Sequence, residues 1–234
     1  MGEMDSHCVC ENKIWVEFTA PAVARWVVKY VCSVKESFNN FLHSSQWMIS
    51  PNYSIKKMYE AIYGNNTRVR WCHLVWNRLS IPKHIFTLWL AMHDRLKTKA
   101  RLYKIGVGND KLCPIYNCAE ETVIHLYFNC AYGKACLSIM LGWLEIHCTK
   151  THLYQVLIWL RTNRKGDFRK KVAYTAIAAL TYCIWGARNF VVWELQVPTV
   201  MHTVHQAQAD VKGRIQNLLG AEVKSTDREW VYSL

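Results

Sequence analysis

Acidic side chains are scarce in this sequence of 234 residues: 17 Asp and Glu face 29 Lys and Arg, a formal charge of +12. The aspartates, Asp5, Asp94, Asp110, Asp167, Asp210 and Asp227, stand apart from one another, with no Asp-Asp pair on a hairpin. Two-metal polymerisation and ribonuclease H chemistry need carboxylates that converge on one site, so neither is expected. There is no Gly-rich phosphate loop, no Ser/His/Asp order, and no His-x-Glu or Pro-Cys-x-x-Cys signature of a zinc deaminase. The chain reads as a non-enzyme with no small-molecule substrate.

Glycine and proline are also few, 10 and 5. No Asn-Gly or Asp-Gly turn separates alternating strands, which excludes an ordinary hairpin architecture. The N-terminus lacks a basic segment followed by an apolar one. The most apolar run, Val172 to Gly186, is too short to span a bilayer. No membrane association is expected, and the location predicted is intracellular, nuclear or cytoplasmic rather than secreted. The 10 cysteines then remain reduced thiols, and clustered Cys and His read as metal ligands or core. A hydrophobic content of 51% excludes a disordered tail.

What is present is helical periodicity. Pro21 opens a segment in which Val23, Trp26, Val27, Tyr30 and Val31 recur at helical spacing, and Ser54 caps a short helix stopped at Gly64. Ser80 and Pro82 open an amphipathic helix over 82–93 with Ile81, Ile85, Leu88, Trp89 and Met92 on one face. Thr98 caps a short helix ended by Gly106. Further helices are predicted over 132–145 and 153–160, then from about 168 to 197, and from 200 to 219. The expected fold is mainly α, an irregular helical bundle with a short Cys/His loop-helix unit of zinc type. The expected divisions are an N-terminal segment 1–46, a central domain 47–148 and a helical extension 149–234.

Cys113, Cys118, His125 and Cys130 form a soft donor set whose number and type suit tetrahedral zinc. Four residues separate Cys113 from Cys118, within chelating range, and His125 is placed on a helix opened by Glu120 and Glu121, with Cys130 at its end. The two glutamates are read as favourable N-terminal charge for that helix. The alternative is that the cysteines only pack. Immediately before this unit lie Arg95, Lys97, Lys99, Arg101 and Lys104, offset by little acid, which suit contacts to phosphates.

Around this unit, Val75-Trp76, Ile81-Pro82-Lys83-His84-Ile85-Phe86-Thr87-Leu88-Trp89, Asp94-Arg95-Leu96-Lys97-Thr98, Leu112-Cys113-Pro114 and Glu120 through Cys130 form a set of phrases. Together they resemble the zinc-binding domain of reverse transcriptases from plant non-LTR retroelements. Tyr53-Ser54-Ile55-Lys56 resembles that family's lead-in and Ile184 through Asn189 its downstream helix, so the resemblance covers roughly 47 to 195. It implies Zn2+ held by a Cys-x2-Cys pair and a His-x4-Cys pair. Here Tyr116 occupies the place of the second Cys, and Cys118 lies two residues later. Either Cys118 swings in or the site has three protein ligands, because a phenol that ionises near ~10 is a poor zinc ligand at neutral pH. The function expected is a non-catalytic, non-specific binder of RNA or DNA, a retroelement fragment with a retroelement polymerase as a further partner. The alternative is a metal-free helical remnant that serves structure or protein interaction.

Overall fold

The computed structural model describes residues 71–163, 166–220 and 223–234, together with Val69 and a few isolated positions before it. The helices expected after Pro21 and Ser54 lie outside the described residues. The chain divides into two compact units, Met1–Arg68 and Val69–Leu234, and nearly all described residues belong to the second.

That second unit is helical, with no strand among the described residues. Its elements are α1 (Cys72–Val75), α2 (Pro82–Met92), α3 (Lys99–Lys104), a distorted turn (His125–Asn129), α4 (Ala131–Trp143), α5 (Leu153–Asn163), α6 (Asp167–Glu194), α7 (Val200–Gln216) and α8 (Ser225–Ser233).

Helix α6 is the axis of the bundle. Every residue from 172 to 180 is buried. Small side chains at Ala173, Ala176, Ala178 and Ala179 let neighbours approach its backbone, while Ile177, Leu180 and Ile184 fill the space between them. α2, α4, α5 and α7 pack around it. By length and composition α6 is apolar enough to cross a membrane, longer than its most apolar run suggests. Yet 67% of its most apolar window is buried inside the fold.

Local chemistry explains most helix ends. Thr98 Oγ1 accepts from Arg101 N–H at the start of α3, and Thr199 Oγ1 accepts from His202 N–H at the start of α7. Ser80 does not cap α2 as expected; Ile81 holds that position, and the buried Ser80 hydroxyl donates to Thr175 Oγ1 on α6 at 3.2 Å. The buried face of α2 centres on His84, Leu88 and Ala91, with Ile85, Trp89 and Met92 at its margins. His84 Nε2 faces Asp210 Oδ2 of α7 at 3.2 Å. α8, absent from the sequence prediction, buries Trp230 and Val231, and Trp143 Nε1 donates to the Leu234 carbonyl at 2.7 Å.

Candidate metal centre

The turn that carries Cys113 is closed by a two-sided backbone ladder. Glu121 N–H donates to Lys111 O at 2.7 Å, Cys113 N–H donates to Ala119 O at 2.8 Å, and Leu112 and Glu120 pair across it in antiparallel fashion. Asn117, at φ +50°, tightens the tip and donates its N–H to the Cys113 carbonyl at 2.7 Å. Asn tolerates this left-handed conformation better than most residues. The ladder points Cys113 inward, where it is fully buried, and leaves Tyr116 and Cys118 exposed.

The second half of the site departs from the predicted helix. Thr122 Oγ1 accepts the His125 N–H at 3.0 Å and starts a helical turn. That turn breaks at Tyr127, which is extended, and at Phe128, whose φ is +76°. Cys130 therefore does not end a helix. It is the N-cap of α4, and its own N–H donates back to the His125 carbonyl at 2.7 Å. A left-handed Phe is costly; here its ring is fully buried. Gly133 makes the close approach of α4 to this break feasible, because a Cβ there would lie 2.6 Å from the Leu126 carbonyl oxygen and 3.0 Å from Phe128 N.

The result gathers three of the four predicted ligands. One donor atom each from Cys113, His125 and Cys130 lies within 4.8 Å of the others, and Cys118 is outside that group. The two sulfurs are 4.0 Å apart. That is far from a disulfide, at ~2.05 Å. It is close to the ~3.8 Å expected between two sulfurs each ~2.3 Å from a tetrahedral zinc. His125 Nε2 is buried and has no hydrogen-bond partner within the fold. A histidine with a buried, unpartnered ring nitrogen, gathered with two sulfurs, is the arrangement a metal would satisfy.

Protonation is already poised toward metal binding. The hydrogen bond from Cys130 is the main influence holding the Cys113 thiol down to about 5; the backbone N–H groups of Tyr116 and Ile115 and the His125 side chain assist, against the effect of burial. The same Cys113–Cys130 hydrogen bond, followed by burial, pushes Cys130 up, while the amides of Tyr132 and Gly133 at the start of α4 favour its thiolate. Cys113 is the readier thiolate of the two, and a divalent metal would compete with the proton held on its partner.

Glu121 serves another purpose than the helix charge expected of it. It is fully buried and takes the Arg188 guanidinium of α6 in a fork, Nε to Oε1 at 2.6 Å and Nη2 to Oε2 at 2.7 Å. Oε2 also accepts the backbone N–H of Lys99, the first residue of α3, at 2.6 Å. A single carboxylate thus joins the ligand loop, the basic helix and the central helix. The pairing spans 67 residues, beyond any local sequence signal.

Of the predicted phosphate contacts, Arg95, Lys97, Arg101 and Lys104 are exposed. Lys99 is half-buried and its ammonium is engaged by Asp110 at 2.7 Å.

No curated protein and no solved structure matches the chain. A narrower stretch than the resemblance read from sequence alone does match: residues 53–136, taking in Cys113, His125 and Cys130, fit the family model described as zinc-binding in reverse transcriptase.

Proposed function

We propose that the chain is a non-catalytic module that holds Zn2+ on Cys113, His125 and Cys130 and binds RNA or DNA without sequence preference. In this proposal it is a retroelement fragment that acts inside the cell, with a retroelement polymerase as a further partner. The observation that carries it is the Glu121 clamp. The ligand loop and the N-terminus of α3 share one buried carboxylate, so order imposed by a metal passes directly to the helix that carries Arg101 and Lys104. Bound zinc would supply structural cross-linking of the loop to α4. Arg95, Lys97, Arg101 and Lys104 would then meet phosphates as exposed cations.

The test is fluorescence anisotropy with labelled single-stranded and duplex oligonucleotides over a range of salt, with zinc content measured in parallel. Affinity should fall with rising salt by about 0.7–0.9 log units per log unit for each phosphate contact. Replacing the four exposed cations by Ala should flatten that slope. A chain that binds no nucleic acid at micromolar concentration, or binds it equally at all salt concentrations, refutes the proposal.

A further inference from the structure

A second basic surface lies away from the ligand loop and from the Arg95–Lys104 face. A groove of about 940 Å3 runs between the α1–α2 loop, the end of α5, the start of α6 and the segment leading into α8. Its construction begins at Asn77. That side chain is buried and donates to the Lys171 carbonyl at 2.7 Å and to Thr175 Oγ1 at 2.9 Å. With Asn77 anchored inward on α6, its neighbours Trp76 and Arg78 are exposed at the groove, Trp76 to 60%.

Charge in the groove is unbalanced. Its acids are already engaged, Asp167 by Lys171 at 2.5 Å and Asp227 by Arg169 at 2.9 Å. Arg78, Arg161, Lys170 and Lys224 line the same groove and take part in no ion pair among the described residues. His73 Nε2 accepts from Arg161 Nη1 at 3.4 Å and holds that guanidinium at the groove. Four uncompensated cations beside an exposed indole match a strand that presents both phosphates and open base faces. Bases in a duplex keep their faces stacked on one another, so only a single strand can offer one to Trp76.

We propose that this groove binds single-stranded nucleic acid, with a base stacked on Trp76 and backbone phosphates on Arg78, Arg161, Lys170 and Lys224. The proposal rests on the assignment of the chain as a nucleic-acid binder and adds a second contact surface and a strand preference.

The experiment uses the full chain with labelled oligothymidylate and a labelled duplex. Trp76→Ala should weaken oligothymidylate binding by about 10-fold or more and leave duplex binding unchanged, with Trp76→Phe restoring most of the loss. The combined Arg78→Ala, Arg161→Ala, Lys170→Ala, Lys224→Ala variant should lower the salt slope on oligothymidylate by about 3, at ~0.7 per lost contact. An unchanged slope in a folded quadruple variant overturns the groove proposal, as does an equal effect of Trp76→Ala on both ligands. If the quadruple variant does not fold, the Trp76→Ala and Trp76→Phe pair decides alone. Loss confined to the Arg95, Lys97, Arg101 and Lys104 variant overturns the groove and leaves nucleic-acid binding standing. Absence of binding by the unsubstituted chain overturns both.

Discussion

Tyr116 sits three residues after the buried Cys113, in a turn whose amides already favour that sulfur's thiolate. It is the position where the resemblance read from the sequence would put a second cysteine, and its exposed phenol leaves the gathered donor set at three. Cys118, one step beyond the tip at Asn117, is exposed and lies outside the set. Two substitutions separate these roles. Cys118→Ser should leave zinc stoichiometry and affinity unchanged. Tyr116→Cys should tighten zinc by at least about 10-fold, since it adds a fourth ligand, the third thiolate, to an otherwise assembled site. Competition with a chromophoric chelator reads both. A large loss of zinc in Cys118→Ser would show that Cys118 does reach the metal. Residue type and spacing made Cys113, His125 and Cys130 legible in the sequence. The placement of Cys118 was not, because the ladder between 111–113 and 119–121 that turns it outward depends on backbone pairing without a side-chain signature.

Between elements, two polar pairs link the helices: the buried Glu121 with Arg188, and the buried His84 facing the half-buried Asp210. Glu121 is the more consequential, since its removal strands the Arg188 guanidinium in the interior. Glu121→Gln should cost about 3–5 kcal/mol of stability, the range for breaking a buried ion pair. Replacing both partners by apolar residues of similar size should recover much of this in chemical denaturation. Near-equal losses in the single and double variants would contradict a specific pairing.

The second pair, His84 with Asp210, makes the α2–α7 contact pH-sensitive. Burial lowers His84 below its ordinary 6.5, with Lys83 contributing in the same direction and Asp210 opposing. The unfolded chain therefore takes up this proton first as pH falls. Stability should decline as pH drops below about 6.5 and stop declining, for this group, once His84 itself protonates. Urea midpoints across that range should show the decline, and His84→Gln should flatten it. Periodicity located α2, but its buried face centres on a histidine where the sequence offered Ile and Trp. The partner that makes this tolerable lies on α7, far along the chain. The break at Phe128 was likewise illegible, for Leu126-Tyr127-Phe128 is an apolar run that locally suits a helix. The break is accommodated by the close passage of α4 at Gly133, a contact with no local sequence signature.

Across the whole molecule, the helices before and after the ligand loop share one core. Residues of α2, α4, α5, α6 and α7 belong to the same buried cluster. The order of these helices could be read from caps and periodicity, because those signals are local. Their assembly around α6 could not, since it depends on small residues at positions 173, 176, 178 and 179 that look unremarkable one at a time. The short α8 escaped notice for a related reason: its nine residues are mostly polar, and only Trp230 and Val231 are buried.

The fork between Glu121 and Arg188 also bears on autonomy. The family match ends at Cys136, within α4, whereas the counter-charge for Glu121 stands on α6 at position 188. A chain cut after Cys136 would keep all three ligands and lose the guanidinium that neutralises the buried Glu121 carboxylate of the ligand loop. Such a piece, spanning 53–136, should give no cooperative thermal transition without metal. A piece running through α7 should give one, as scanning calorimetry would show. The smallest unit able to fold by itself is therefore expected to run well past the last cysteine ligand, to the helix that supplies both the shared core and the counter-charge at Arg188.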